Sequence, residues 1–335
     1  MKVTISDIAK SVGVSTTTVS RYLNGNYEYM SYETRKKIEQ AIKEYNYVPS
    51  NVARTLKSKR SKTVGIIVNT LRYQVAAQTL MGINDVCIEH GYGTVIYSTD
   101  DDPEKEQRAI QMCLNQQIDG VVIIPSQTEA KPYLDIAKTG IPVVLCTRSL
   151  EDWPYSSVYV KHDEMIRNML RHLKEEGFEK VHFLLDVPTF HKRWMGAVFA
   201  QEAKTLFDME QEDSIVFVGR EDPKIQAVLD AFRSKYPNEK KAVMAVNTHT
   251  LFLLLKEIER QEIQVPTELG VCGYDSIGWS ELVHPGISAM QQPMRQMGMT
   301  AGKELMRCIQ EKSNGNTKHG LSGINYYRAS TKLIE

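Results

Sequence analysis

Residues 5–23 read ISDIAKSVGVSTTTVSRYL and predict two short helices joined by a tight turn. Apolar residues recur at helical spacing in the first half, and Gly13 then interrupts that helix with the residue type that tolerates left-handed backbone. Ser15 can cap a second helix, which would turn Val19 and Leu23 inward. The stretch therefore predicts a compact helical unit at the front of the chain.

The opposite face of the second predicted helix carries Thr16, Thr17, Ser20 and Arg21. An arginine can make two parallel hydrogen bonds to a base edge, and a threonine can donate, accept or place its methyl group against thymine. In a helix-turn-helix, the second helix enters the major groove with its first residues at the base edges. The same pattern also suits an ordinary three-helix unit with solvated polar residues, so the neighbouring sequence has to decide.

Charge is distributed unevenly along the 335 residues, although the formal net charge is zero. Residues 1–62 contain twelve Lys and Arg against five Asp and Glu, which leaves 29 against 36 for the remainder. A basic head on an acidic body is the asymmetry expected of a DNA-binding module attached to a soluble sensor. The charge pattern therefore favours the DNA-reading interpretation of the first two helices.

Length and composition predict a cytoplasmic protein of two or three domains. The five cysteines are scattered and include no C-x-x-C pair, which predicts reduced core thiols rather than disulfides or zinc ligands. The first residues lack an apolar leader, and no uncharged apolar run approaches the roughly 18 residues of a membrane span. We therefore expect no membrane partner.

A third helix and a basic tether follow the helix pair. Ser31 can cap a helix that runs to about Tyr45 and buries the stripe Ile38, Ala41, Ile42 and Tyr45, which predicts a headpiece over residues 1–48. Residues 49–62 combine a short apolar helical pattern after Pro49 with a basic segment. So short a helix cannot hold together alone in water, so either a partner orders it or the segment is a plain flexible linker.

Three segments within residues 3–63 together resemble the LacI/GalR family of bacterial transcription regulators: TISDIAKSVGVSTTTVSRYLNG, ETRKKIEQAIKEYNYVP and NVARTL. The resemblance implies a homodimer that binds double-stranded DNA at an inverted-repeat operator, with paired hinge helices in the central minor groove. It places Thr16, Thr17 and Arg21 at base-reading positions, and Ala53 and Leu56 in the minor groove, where Leu56 would open a base step. The remaining predicted DNA-binding residues are Thr4, Ser6, Ser20, Asn24 and Asn51.

From Thr63 onward, β-branched runs alternate with helical segments, which predicts an α/β fold of doubly wound parallel sheets. Together with the all-α headpiece, this resembles the family's two-lobed, periplasmic-binding-protein-like core. The resemblance implies a core over residues 63–335 with crossings near Lys161, Gln291 and Asn325. The N-lobe is expected at about 63–161 and 291–324, and the C-lobe at about 162–290 and 325–335. Ligand would lie at the carboxyl ends of the strands.

The resemblance also implies effector-binding residues in the cleft between the lobes. Arg193 falls on the family's ligand-anchoring position, although a salt-bridge role remains open, and Asp275 matches a sugar-binding carboxylate, although it could simply cap a helix. Gln292 corresponds to another cleft position. The full predicted set is Arg72, Tyr73, Thr147, Arg148, Arg193, Asn247, Asp275 and Gln292.

Two departures from the family pattern bear on the effector. Thr147 and Thr248 occupy positions where the family often carries an acid, while Arg72, Arg148 and Arg193 are expected to rim one cleft. A net positive cleft favours a carboxylate or phosphate over a neutral sugar. We therefore expect a sugar-acid effector, and the chain is similar to family members that respond to 2-keto-3-deoxygluconate or related uronate products. Tyr73, Trp194 and Trp279 could stack on a sugar ring.

Searches for enzyme motifs find no P-loop, dinucleotide fingerprint, H-E-x-x-H or G-x-S-x-G. The eight histidines are dispersed, so we expect no metal site, no cofactor and no catalytic residues. The sequence therefore predicts a repressor of carbohydrate or sugar-acid catabolism genes, controlled by a small sugar or sugar-acid effector. A sugar-binding protein of transport type is the alternative, and an enzyme of sugar metabolism is a weaker one.

No C-terminal heptad repeat follows the core, which favours a dimer over a tetramer.

Overall fold

The computed structural model describes residues 3–47, 60–72, 74–148, 150, 152–219, 224–275 and 278–333. The chain divides into two compact units, Met1–Lys62 and Thr63–Glu335. The predicted hinge residues Asn51, Ala53 and Leu56 lie outside the described residues, as does Tyr73.

Three helices form the first unit, and local capping interactions fix where they begin. Their bounds are Ile5–Val12 (α1), Thr16–Leu23 (α2) and Tyr32–Glu44 (α3). The predicted caps are confirmed: the side chains of Ser15 and Ser31 accept hydrogen bonds from the backbone N–H groups of Thr18 and Thr34. Gly13 ends α1 in the left-handed region with φ 73°, so the predicted turn is confirmed as well.

The headpiece core lies at the junction of these three helices. Ile8, Val19 and Ile38 are fully buried, and Ala41 is 6% exposed. Tyr45 was predicted in this stripe, but that prediction is wrong because α3 ends at Glu44 and Tyr45 is 45% exposed. Tyr47 instead is buried against the core, since the chain turns back after the helix.

Two six-stranded sheets form the second unit. The first has the order β11-β5-β4-β3-β1-β2 and the second has the order β12-β10-β9-β8-β6-β7. The strands of the first sheet are Thr63–Val68 (β1), Gly93–Ser98 (β2), Gly120–Ile123 (β3), Val143–Thr147 (β4), Ser157–Val160 (β5) and Lys318–Leu321 (β11). Those of the second are Lys180–Leu185 (β6), Ile215–Phe217 (β7), Lys241–Ala245 (β8), Gly270–Tyr274 (β9), Ser288–Gln291 (β10) and Ile324–Tyr326 (β12).

The predicted fold class is confirmed, with one departure. Every strand pair is parallel except β10 with β12, which is antiparallel because β12 returns from the other sheet in the opposite direction. β11 is not among the predicted strands, because it is short and only partly buried. Residues 325–334 were predicted to be strand-like, but β12 covers only the start of that stretch. The central strands were predictable because their apolar residues are buried on both faces.

Helices cover the sheets and connect them. Their bounds are Gln74–Glu89 (α4), Pro103–Asn115 (α5), Lys131–Ala137 (α6), His162–Glu175 (α7), Phe190–Phe207 (α8), Gln211–Ser214 (α9), Ile225–Lys235 (α10), Thr248–Arg260 (α11) and Met294–Glu311 (α12), with short 3-10 helices at Trp279–Glu281 and Ala329–Thr331. Within the described part of the chain, none of the helices is both long and apolar enough to cross a membrane.

The chain passes between the two sheets three times. These passages lie between β5 and β6, between β10 and β11, and between β11 and β12. The predicted crossings near Lys161, Gln291 and Asn325 lie in or beside these connections. We call the part built on the first sheet the first lobe, and the part built on the second sheet the second lobe.

Helix α12 follows a strand of the second sheet but packs against α4 in the first lobe. The two backbones touch, because a Cβ added at Gly298 would lie 2.1 Å from the carbonyl oxygen of Thr79, and one added at Gly82 would lie 2.2 Å from that of Arg295. Only glycine permits so close an approach. The connection after β10 is therefore fixed to the first lobe.

Candidate functional site

The outward face of α2 carries the predicted base-reading residues. Thr16, Thr17 and Arg21 are exposed, whereas Val19 on the opposite side is fully buried. Ser20 is partly buried. The face predicted to read DNA is therefore free of contacts with the headpiece core, while the helix is anchored from behind.

An aromatic residue stands beside this face. The guanidinium of Arg21 lies 5.8 Å from the ring centroid of Tyr29, and the Tyr29 side chain is 84% exposed. Such a cation–π contact at an exposed site contributes about 0.5–1 kcal/mol. It limits the freedom of Arg21 without removing its hydrogen-bond donors.

The other predicted contacts of the headpiece have local structural partners. Thr4 forms a capping box with Asp7, in which the Thr4 backbone N–H donates to the carboxylate at 2.8 Å. The Asn24 amide donates to the carbonyl oxygen of Ser20 at 2.8 Å and so closes the end of α2. Ser6 is partly buried. Their side chains therefore help to define the two helices, whatever they contact on DNA.

A cavity of about 370 Å³ lies between the two lobes of the second unit. Its walls come from the carboxyl ends of strands in both sheets, where open parallel sheets generally bind ligands. Five of the predicted effector-binding residues line it: Arg72, Thr147, Arg148, Asn247 and Gln292. These residues come from segments that are far apart in the sequence and that the two sheets bring together.

Arg148 is a largely buried cation of the cavity wall. Its Nη1 donates to the carbonyl oxygen of Pro125 at 2.6 Å, and its Nη2 lies 4.0 Å from the Asp101 carboxylate. Burial lowers the pKa of the guanidinium, and the Asp101 charge partly offsets that effect. Because arginine remains protonated even so, the cavity keeps a positive charge at this point.

The loop that receives Arg148 is itself held by a buried carboxylate. Glu106 is fully buried and accepts hydrogen bonds from the Ser126 backbone N–H at 2.9 Å and from the Tyr133 hydroxyl at 2.7 Å. Buried charges persist only when such partners satisfy them. Glu106 therefore fixes the loop after β3 against which the guanidinium rests.

Thr147, at the end of β4, has φ 69°. A β-branched residue in the left-handed region is a genuine outlier that costs on the order of 1–3 kcal/mol. Such strain is found most often at functional sites. The chain bends here immediately before Arg148.

The structure places the predicted anchor Arg193 outside the cavity wall. Helix α8 begins at Phe190 with Thr189 as its cap, and this phase turns His191, Lys192 and Met195 toward the cavity. Arg193 is exposed on another side of the helix, where its Nε donates to the carbonyl oxygen of Pro188 at 3.1 Å. Trp194 likewise does not line the cavity, whereas Trp279 does.

Asp275 also fails to line the cavity, against the prediction. It is 2% exposed, and its carboxylate accepts a hydrogen bond from the Ser280 backbone N–H at 3.0 Å. This contact holds the short 3-10 helix that begins at Trp279. Asp275 thus supports this helix from inside the second lobe, while Gly278 is the residue at its N-cap.

Asp186 is a buried carboxylate of the second lobe that lies behind the cavity residues Lys192 and Asn247. It is 2% exposed at the end of β6, forms an ion pair with Lys192 and accepts a hydrogen bond from the Asn247 amide at 3.2 Å. The paired Lys192 lines the cavity, but Asp186 itself does not. The Asp186 carboxylate therefore neutralises the positive charge of Lys192 on the second-lobe side of the cavity.

Several cavity residues were missed by the sequence analysis, and most of them follow a strand. The polar ones are Asn69, Thr70, Thr79, Asp101, His162, Thr189, His191, Lys192, Thr248 and His249. Asn69 and Thr70 follow β1, His162 follows β5, and Thr248 comes shortly after β8. The rule that ligands bind at the carboxyl ends of parallel strands could have identified these positions.

The neighbouring aspartates Asp101 and Asp102, in the acidic run at residues 100–102, have different structural roles. Asp102 caps α5 by accepting from the Glu104 backbone N–H at 2.8 Å, as the position before Pro103 predicts. Asp101 lines the cavity instead and accepts from the Asn69 amide at 3.0 Å. Among the described residues, no group of three or more potential ligands could hold a metal ion.

Two protein-family descriptions match the chain. Residues 4–50 match the bacterial regulatory proteins of the lacI family. Residues 170–331 match the periplasmic binding protein-like domain. The matches thus cover the three-helix unit and the later part of the two-lobed unit.

Relatives of known function align along most of the chain. HTH-type transcriptional regulator KdgR of Bacillus subtilis (strain 168) is 28% identical over 312 residues, which are 92% of this chain and 91% of that protein. Catabolite control protein A of Staphylococcus xylosus is 28% identical over 332 residues, 99% of this chain and 100% of that protein. A crystal structure of the lac repressor dimer bound to operator and the anti-inducer ONPF matches with a TM-score of 0.87 at 21% identity, covering 99% of this chain and 100% of that one. With the lacI-type headpiece, the periplasmic-binding-protein-like domain and these relatives in place, the chain belongs to the LacI/GalR family of bacterial transcription regulators.

Proposed function

We propose that this chain represses genes of carbohydrate or sugar-acid catabolism by binding an inverted-repeat operator, and that a sugar acid in the cavity controls its operator affinity. One observation carries the proposal: the chain combines an exposed Thr16, Thr17 and Arg21 face with a cavity of about 370 Å³ between two lobes, lined by apolar and polar side chains. The first is suited to a base edge, and the second has the size of a small-molecule site.

The effector class follows from the cavity wall. Among the described residues, Nε and Nη2 of Arg148 make no hydrogen bond, so the guanidinium retains donors for a ligand. A carboxylate accepts such donors as a matched pair. The amide and hydroxyl groups of Asn69, Thr147, Asn247 and Gln292 suit sugar hydroxyls. These features favour a sugar acid over an uncharged sugar.

The regulation is a coupled equilibrium. Effector binding changes how the two lobes sit and thereby the operator affinity of the headpiece, so each ligand alters the affinity for the other by the same factor. Release from the operator is the direction we expect. The energetic requirement is only that the effector binds one lobe arrangement more tightly than the other.

A gel shift on an inverted-repeat duplex tests the proposal. We expect tight, specific binding whose affinity falls steeply between 50 mM and 200 mM salt, because phosphate contacts release counterions. Adding 2-keto-3-deoxygluconate should weaken the complex. A transport-type binding protein would not shift the duplex, and that result would contradict the proposal.

We further propose that the chain forms a homodimer through the first lobe. Exposed apolar side chains lie on neighbouring elements there: Met81 and Ile88 on α4 are 47% and 62% exposed, Ile96 on the edge strand β2 is 46% exposed, and Met112 on α5 is 50% exposed. A second copy would bury this surface and cover the open sheet edge.

Light scattering tests the dimer. We expect the mass of two chains for the unaltered protein and at least roughly tenfold weaker dimerisation for Ile88→Glu, because burying a large apolar side chain contributes about 1.5–3 kcal/mol. Ile324→Glu is the matched control, since Ile324 is 57% exposed on the second sheet. Equal effects of the two variants, or a tetramer, would contradict the proposed interface.

A further inference from the structure

Two histidines face the cavity from the second lobe side, and the proposed recognition of a sugar acid does not use them. His162 follows β5 at the start of α7 and is 4% exposed, and His191 lies in the first turn of α8. Their rings meet edge to face with centroids 4.9 Å apart, and both line the cavity. Two imidazoles at this distance cannot both carry a charge without strong repulsion.

Their hydrogen bonds leave ring nitrogens open to a ligand. Nδ1 of His162 lies 3.0 Å from the Tyr274 hydroxyl, so Nε2 is the nitrogen left for the cavity. Within the described part of the chain, the His191 ring makes no hydrogen bond and packs between His162 and Trp194. Because both rings line the cavity, these nitrogens can form hydrogen bonds with water or with a ligand there.

We propose that His162 and His191 are charge-selecting residues of the effector site, where the pair takes up one proton as a carboxylate ligand enters beside Arg148. The pair thereby favours a sugar acid over its neutral counterpart. The inference rests on the proposed function only in taking the cavity as the effector site. The proton comes from solvent and goes to an imidazole nitrogen, and no covalent bond forms or breaks.

The free protein holds both rings neutral. Burial lowers the pKa of His162 to about 3, and the Arg148 charge adds to that effect. Burial also holds the pKa of His191 well below its usual value, with His162, Arg148 and Lys192 contributing in that order. Near pH 7 the cavity therefore contains cationic Arg148 and Lys192 and two uncharged imidazoles.

The acidic groups nearby already have partners. Asp101 accepts from Asn69, and Asp186 pairs with Lys192. Further charged or titratable groups lie on the surrounding elements: Arg72, Lys161, Asp163, Glu164, Arg167, Arg193, His249 and Tyr274. Lys161 pairs with Glu164, and Arg167 pairs with Asp163. A carboxylate brought in by the ligand would offset the Arg148 charge and accept a hydrogen bond from an imidazolium, so it raises the imidazole pKa.

The pH dependence follows from that direction. A group whose pKa is higher in the complex strengthens binding at low pH, and this gain is lost as the pH rises through the bound-state pKa. A sugar acid is almost fully ionised between pH 5 and pH 7 and adds little titration of its own. An opposite charge raises an imidazole pKa by roughly 1–3 units, starting here from about 3 for His162 in the free protein. The affinity should therefore fall by up to about tenfold for each pH unit as the pH rises from 5 toward 7, and change little above that.

Calorimetry on the full chain tests the inference. Titrations of 2-keto-3-deoxygluconate and D-gluconate at pH 5 in buffers of different ionisation enthalpy should show net uptake of up to one proton that declines toward pH 7, while any binding of D-glucose should show none. His162→Gln and His191→Asn should each reduce the uptake and flatten the pH dependence. His90→Asn, which alters an exposed histidine at the end of α4, is the matched control and should leave both unchanged.

Three outcomes would overturn the inference: acid binding without proton uptake, uptake that persists in the double variant, or no binding of either acid. Should a histidine variant fail to fold, the uptake of the unaltered protein and the other single variant still decide. A gel shift with the same acids separates the two proposals. Acid binding with proton uptake but no change in operator affinity would support this inference and contradict the proposed regulation.

Discussion

Replacing Arg21 by Ala is expected to weaken operator binding by about 30-fold to 10⁴-fold. A bidentate arginine–base contact contributes about 1–3 kcal/mol of discrimination, and a dimer would lose one contact in each headpiece. The guanidinium is available for this role because it lies on the exposed face of α2 and retains its donors beside Tyr29. Fluorescence anisotropy on the operator at fixed salt measures the loss.

Two further variants separate base reading from simple charge attraction. Arg21→Lys keeps the charge but cannot make the paired hydrogen bonds, so it should lose most of the specificity for operator over random duplex. Lys37→Ala removes a charge from the exposed side of α3 and should change affinity little. If Arg21→Ala weakened operator and random duplex equally, Arg21 would be a phosphate contact instead.

Replacing Arg148 by Ala is expected to weaken binding of a sugar acid by about tenfold to 150-fold. Hydrogen bonds to a charged group contribute about 1.5–3 kcal/mol, and the variant would also leave Asp101 in the wall without its nearby cation. Because the variant makes the cavity wall less positive, it should weaken the binding of any anionic ligand. Calorimetry with 2-keto-3-deoxygluconate measures the effect.

Arg193→Ala is the matched control, because Arg193 is exposed and lies outside the cavity. It should change the dissociation constant by less than about twofold, as surface substitutions usually do. A large effect of Arg193→Ala with a small effect of Arg148→Ala would mean that the family-based position was right and the cavity assignment wrong. Tight binding of a neutral sugar that survives Arg148→Ala would rule out the charge-based effector class.

The headpiece could be predicted almost completely from the sequence. Its helices are set by interactions that span three or four residues, such as the cap at Ser15 and the left-handed Gly13. Its core follows from helical periodicity, and only Tyr45 was misplaced, because the helix ends one residue before it. The buried strands of the lobes were also predictable, because short continuous runs of β-branched residues are typical of parallel strands that are buried on both faces.

The sequence by itself determined the family, the fold class and which polar residues lie on the outward face of α2. All three follow from short motifs or from the spacing of apolar residues within single elements. The tertiary structure alone decided which polar residues share the cavity. Arg193 and Lys192 are neighbours in the chain, yet the phase of α8 sends only Lys192 inward. Likewise, His162 and His191 lie on different helices and meet only where α7 and α8 begin side by side. Local patterns identify the strand ends that border such a site, but long-range packing decides which helix faces turn toward it.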